Sequence, residues 1–103
     1  MIAGESTGEI VYQDEEVVAF LDKYPKAPTH ILIVPREHIP SLAQVDEERS
    51  GLVARMVLLA NRLAKEREIA EQGYRLVINS GYWGGQAIPH LHMHLLGGRP
   101  LRW

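Results

Sequence analysis

The run His90-Leu91-His92-Met93-His94-Leu95-Leu96 sets three imidazoles at alternate positions with large apolar side chains between them. Successive side chains of a β-strand point to opposite faces. The alternation therefore predicts a strand over Pro89 to Leu96, with His90, His92 and His94 on one face and Leu91, Met93 and Leu95 on the other. The apolar face belongs in a core. Three adjacent imidazoles have no such packing rationale. Imidazole titrates near neutral pH and serves as nucleophile, acid–base catalyst and metal ligand, so the strand is where chemistry is expected.

Outward from this strand, Asn79-Ser80-Gly81-Tyr82-Trp83-Gly84-Gly85-Gln86 forms the preceding connection. Alone it reads as a flexible hairpin loop. Set before three histidines, its glycines also suit a concave nest of backbone N–H groups for a phosphate or oxyanion. Tyr82 and Trp83 are free either to flank a ligand or to shield the loop. Tyr74 to Asn79 reads as the strand that leads into it.

Further back, Asp46 is an N-cap candidate followed by Glu47 and Glu48, which suit the positive end of a helix dipole. Leu52, Met56, Leu59 and Leu63 recur at four-three-four spacing, and Val53, Val57, Ala60 and Ala64 widen the stripe. With Gly73 just past its end, the pattern predicts one helix over Asp46 to Gln72, roughly 40 Å long. In the N-terminal third, Glu9 to Gln13 and Val17 to Leu21 flank the polar turn Asp14-Glu15-Glu16 as a hairpin. His30 to Val34, closed by Pro35, reads as a buried strand. The elements add up to an α+β fold, an antiparallel sheet of about five strands carrying one long helix.

Composition narrows the function. At 103 residues, with 46% hydrophobic and 23% charged residues, the chain fits a single domain over 1–103 with no repeat or linker. A net charge of −2 gives no footprint for nucleic acid. The absence of cysteine excludes a disulfide framework, a Cys-ligated zinc and a thiol nucleophile. No apolar run is long enough to cross a bilayer and none looks like a cleavable signal, so no membrane partner and a cytoplasmic location are expected.

Other residues carry two readings each. His30 either bonds turn backbone or orients a catalytic imidazole; His38 reads as structural. Asp22 either shapes a turn or accepts ribose hydroxyls. Phe20 is either core or a surface for a base. Alternating histidines can also hold zinc, iron or copper, but no carboxylate adjoins the run and the third ligand would have to be His30. No metal and no cofactor are therefore expected.

The histidine run resembles the signature of the histidine triad family, His-x-His-x-His followed by apolar residues. Ala19-Phe20-Leu21-Asp22, Pro25-Lys26-Ala27-Pro28-Thr29-His30, the strand into Pro35 and His38, Asn79-Ser80-Gly81, Gly84-Gly85-Gln86 and Leu96-Gly97-Gly98-Arg99-Pro100-Leu101 extend the likeness over nearly the whole chain. It is nearest the Hint-like nucleoside phosphoramidate hydrolases. The resemblance implies a homodimer paired through the long helix, with one continuous ten-stranded sheet. It implies a metal-independent hydrolase or transferase that cleaves at the α-phosphate of purine nucleoside 5′-phosphoramidates or related conjugates. His92 is the implied nucleophile that carries the nucleotidyl group. His94 would contact the transferred phosphate and protonate the leaving amine, with His90 and His30 supporting the nucleophile. Asn79, Gly85 and Gln86 would line the phosphate site, Asp22 would hold the ribose and Phe20 the base. A nucleotide-binding interaction module with little catalysis is the alternative.

Three departures from the family pattern carry their own expectations. Ala87 replaces a usual serine near the phosphate, which removes one hydroxyl contact and lowers turnover. The usual N-terminal segment with paired cysteines is absent, and with it a zinc site and part of the base-pocket wall. The chain stops at Trp103, where relatives continue toward the partner's site.

Overall fold

The computed structural model describes residues 7–102. Five strands, β1 (Thr7–Gln13), β2 (Val17–Asp22), β3 (Thr29–Pro35), β4 (Tyr74–Val77) and β5 (Met93–Gly97), form one antiparallel sheet in the order β1-β2-β3-β5-β4. The helix α1 spans Ser50–Glu66. This is the α+β arrangement expected from the sequence. Among the described residues no helix is long and apolar enough to cross a membrane.

Local chemistry makes the first hairpin. Asp14 Oδ1 accepts from the N–H groups of Glu16 (2.8 Å) and Val17 (2.9 Å), closing the turn, while Tyr12 donates its hydroxyl to Oδ2. Burial opposes the charge on Asp14, but these hydrogen bonds and Arg55 hold its carboxyl down at about 2. Gly8 sits where β1 crosses β2 too closely for a side chain, since a Cβ there would lie 2.2 Å from the Leu21 carbonyl oxygen.

Alternation along the central strands gives the sheet two apolar faces. Val17, Ala19, Ile31, Ile33, Met93 and Leu95 pack with Met56, Leu59, Ala60, Leu63 and Ala64 of α1 in the main core. Val18, Phe20, Leu32 and Val34 form a second cluster on the opposite face. Each valine, leucine, isoleucine, methionine or phenylalanine among them contributes about 1.5–3 kcal/mol when fully buried. The main core fixes the sheet, and the second cluster is the floor on which the site is built.

The helix is shorter than the sequence pattern predicts. Asp46 does cap, accepting from Arg49 N at 3.1 Å, but it caps a turn of 3-10 helix over Glu47–Arg49 that leads into α1. At the other end Glu68 takes the left-handed conformation (φ 60°). Glu68 N donates to Lys65 O and Ile69 N to Ala64 O, the paired bonds of a Schellman ending. The buried Ile69 then turns back onto the core. That apolar anchor ends the helix before Gly73, which serves instead (φ 114°) in the turn into β4. Seventeen residues give a helix of roughly 26 Å.

Two strands are also trimmed. β4 ends at Val77 rather than Asn79, and β5 begins at Met93 rather than Pro89. Pro89 lacks an N–H for the ladder, and the chain bends over Ile88–His90, where His90 N donates to Ile88 O at 2.8 Å. His90 and His92 therefore precede the strand that holds His94.

Candidate active site

A cavity of about 520 Å³ opens on the sheet face away from α1. Register builds it. His94 lies opposite Leu32 of β3 and Val77 of β4, and all three line the cavity with Phe20 beneath them. Asp22 and His30 come from the ends of β2 and β3, and Asn79, Gly85 and Ala87 from the loop after β4. His92 joins from the approach to β5. Of the site residues that the family resemblance implies, His90 and Gln86 do not line it.

Hydrogen bonds fix where each neutral imidazole carries its proton, because a carbonyl only accepts and an N–H only donates. His92 Nδ1 lies 2.7 Å from the His90 carbonyl oxygen and must donate to it. Its Nε2 lone pair is left for chemistry. The backbone N–H of Lys26 donates to His30 Nδ1 at 3.0 Å, so His30 carries its proton on Nε2. That Nε2–H meets His94 Nδ1 at 2.9 Å, which leaves His94 with its proton on Nε2. The rings of His92 and His94 are 5.1 Å apart, centre to centre. One ring thus offers a lone pair and its neighbour a donor.

The other two histidines stand behind this pair. His90 Nε2 donates to Pro35 O at 2.9 Å, and its Nδ1 accepts from His38 Nδ1 at 3.2 Å. The His90 ring is turned away from the cavity, and the expectation of three imidazoles on one face fails because the bend at Pro89 rotates it out of register. His30 meets His94 rather than His92. His38, read as structural, holds His90.

The glycine-rich loop is tied at both ends. Asn79 Nδ2 donates to Gly84 O at 2.8 Å. Gln86 Oε1 accepts from Gly81 N at 2.8 Å, and its Nε2 donates to Pro40 O (2.7 Å) and Ile88 O (2.9 Å). Gln86 therefore spends its amide on the loop instead of facing a phosphate, a correction to the sequence reading. Gly85, at φ 86°, adopts a backbone that other residues rarely take, and a Cβ there would lie 3.5 Å from Asn79 Nδ2. Tyr82 and Trp83 project from the loop tip into solvent, Trp83 fully exposed.

Asp22 combines its two readings. Its Oδ1 accepts from Tyr24 N at 2.7 Å, shaping the turn, while Oδ2 reaches within 3.4 Å of His30 Nε2 and borders the cavity. No local pattern shows that a carboxylate joins the histidines, because Asp22 arrives from a strand end 68 to 72 positions away from His90 to His94. Asp22, His30 and His94 converge with one ligand atom each within 4.8 Å of one another. Those atoms are a metal-type donor set, and the hydrogen bonds among them also account for their convergence. Leu32, Val77, Ile88 and Lys26 line the cavity unforeseen. Leu32 and Val77 become visible only once β5 is known to lie between β3 and β4.

Burial sets the electrostatics. It pushes His94 down to about 4, helped by the neighbouring His92 and His30 rings and opposed by Asp22. Burial likewise lowers His30, with Asp22 opposing and Lys26 assisting, and lowers His90 against its bond to Pro35. Burial thus favours the neutral form of His30, His90 and His94.

The chain is similar to known proteins over nearly its whole length. The model of the HIT domain family matches residues 3–101. The chain is 50% identical over 101 residues to the purine nucleoside phosphoramidase of Escherichia coli strain K12, covering 98% of this chain and 85% of that protein. The fold superposes with a TM-score of 0.92 on a HIT family hydrolase from Legionella pneumophila Philadelphia 1, at 42% identity, covering all of this chain and 92% of that one. A histidine triad protein from Clostridium difficile gives a TM-score of 0.90 at 39% identity, covering 96% and 86% of the two chains.

The low proton affinity of His94 has a measurable consequence. The unfolded chain takes up this proton near 6.5 and the folded chain near 4, so stability contributed by the neutral ring falls as pH is lowered through that window. An NMR titration of the His94 ring should give a midpoint well below 6.5. A midpoint at or above 6.5 contradicts the half-buried, hydrogen-bonded environment of this ring.

Proposed function

The chain belongs to the HIT domain family and is a hydrolase within it, and we propose that it cleaves the bond at the α-phosphorus of purine nucleoside 5′-phosphoramidates and related nucleotide conjugates. The observation that carries this reading is the tautomer pair, His92 with a free Nε2 lone pair beside His94 with an Nε2 donor. The 50% identity to a purine nucleoside phosphoramidase supports the substrate class.

In the proposed first step His92 Nε2 forms a bond to phosphorus. The phosphate anion raises the proton affinity of His94, which then carries a second proton, and Asp22 Oδ2 becomes the alternative acceptor for His30 Nε2–H. As the P–N bond breaks, its electron pair leaves with nitrogen and His94 Nε2 supplies the proton. In the second step water attacks phosphorus, gives its proton to His94, and His92 departs as the neutral ring. Two displacements replace one with a higher barrier. No step in this scheme calls on a metal or cofactor.

Gly85, Asn79 and Ala87 border the reacting phosphate in this reading, Asp22 takes the ribose hydroxyls and Phe20 lies under the base. His30 orients His94, and His90 orients His92 through its carbonyl group rather than its ring. Ala87 offers no hydroxyl to the phosphate, which points to a slower turnover than a serine there would give.

A homodimer completes the proposal. β4 lies at an edge of the described sheet, and Leu58 is an exposed apolar residue of α1 beside the half-buried Leu52, Val53 and Val57. Pairing of two such edges would extend the sheet to ten strands, with a second helix against α1.

His92→Ala should reduce turnover of adenosine 5′-phosphoramidate by at least about a thousandfold while AMP still binds. Wild-type protein quenched in alkaline denaturant during turnover should carry a nucleotidyl group on His92. Near-wild-type turnover of His92→Ala would sink the nucleophile assignment. Sedimentation at micromolar concentration should give the mass of two chains, and a one-chain mass contradicts the dimer.

A further inference from the structure

Beyond His94 on the same sheet face lies a second cavity, of about 350 Å³, whose lining includes Lys26, Arg75, Leu96, Arg99 and Arg102 and no acidic residue. It adjoins the catalytic cavity, because Lys26 and Leu96 line both. In a chain of net charge −2, four of its eleven lysines and arginines border this one space. Backbone carbonyls help to hold the cluster. Arg99 donates to Lys26 O at 2.9 Å and to Pro100 O at 3.0 Å, and Arg75 donates to Arg102 O at 2.9 Å. A carbonyl partner fixes the Arg99 guanidinium without cancelling its charge.

Chain direction decides what this cavity faces. His92, His94 and Leu96 succeed one another on one face of the approach to β5 and of β5 itself, about 7 Å apart at each step. An in-line displacement puts the leaving group on the side of phosphorus away from the nucleophile. With His92 attacking and His94 supplying the proton, the departing amine lies past His94, toward Leu96 and the basic cavity. The Asp22 carboxylate, proposed above to accept the ribose hydroxyls, lines the first cavity but not the basic one. The field of Lys26 already reaches His30 and His94, lowering the proton affinity of both.

Building on the hydrolase reading above, we infer that the basic cavity is a leaving-group subsite, selecting conjugates whose amine carries a carboxylate or a phosphate. Lys26 and Arg102 supply donors to that anion, and Leu96 bears on the short methylene linker. The bonds made and broken at phosphorus are those of the proposed reaction; the subsite adds only binding and orientation to the group that leaves.

Three adenosine 5′-phosphoramidates test this, with propylamine, β-alanine or 2-aminoethyl phosphate as the leaving amine. The readout is the ratio of kcat/KM for each anionic conjugate to that for the neutral one. The full-length protein should favour at least one anionic conjugate by about tenfold, the size of one charge-assisted contact. Lys26→Met and Arg102→Met should each lower that ratio, and so should added salt. Preference for the carboxylate or for the phosphate alone supports the subsite and identifies its anion. Turnover of the propylamine conjugate with no anionic preference, or a preference that survives in both variants, overturns the subsite alone. No turnover of any conjugate overturns the hydrolase reading and the subsite with it.

Discussion

The site depends on one constraint: backbone groups, which cannot titrate, decide which nitrogen of each imidazole is protonated. The His90 carbonyl can only accept, so His92 must donate from Nδ1. The Lys26 N–H can only donate, so His30 must accept at Nδ1 and pass its own proton toward His94. From these two fixed ends the free lone pair on His92 Nε2 and the N–H on His94 Nε2 follow. Were His92 bonded at Nδ1 to another titratable ring, its tautomer would drift with pH and the lone pair would be lost part of the time.

The sheet makes the two backbone ends available. Because β5 lies between β3 and β4, His94 has Leu32 on one side and Val77 on the other. Apolar flanks limit the hydration of His94, and this partial burial holds its proton affinity far below the ordinary range. The bend at Ile88–His90 then turns the His90 carbonyl onto His92 while sending the His90 ring to Pro35 and His38. Register, a proline bend and desolvation each contribute a part of the chemistry that no single residue contains. Gln86 plays the complementary structural part, its amide holding the loop that carries Gly85 and Ala87 at the cavity edge.

Much of this was legible in the chain itself. Strict apolar alternation placed Leu91, Met93 and Leu95 in the core, the 3.6-residue stripe located the helix, and the polar turn at Asp14 located the first hairpin. Local patterns fell short where tertiary contacts decide. The burial of Ile69 stops α1 well before Gly73, and Pro89 with its bend keeps His90 out of the strand. Side-chain roles proved hardest to read. Glutamine in a glycine-rich loop suits a phosphate or a backbone carbonyl equally well, and only the nearness of Pro40 and Ile88 separates the two. Asp22 could be seen to end a strand, but its meeting with His30 and His94 needs the strand order. The contribution of Lys26 to the histidine pair is a main-chain N–H, which every residue but proline carries.

The most direct test of this account is the tautomeric state of the histidines, read by long-range ¹H–¹⁵N correlation NMR near neutral pH on uniformly labelled protein. His92 should show its proton on Nδ1, and His30 and His94 should show theirs on Nε2. A His92 ring protonated at Nε2 would leave no lone pair toward the cavity and would contradict the hydrogen-bonded order on which the site is built.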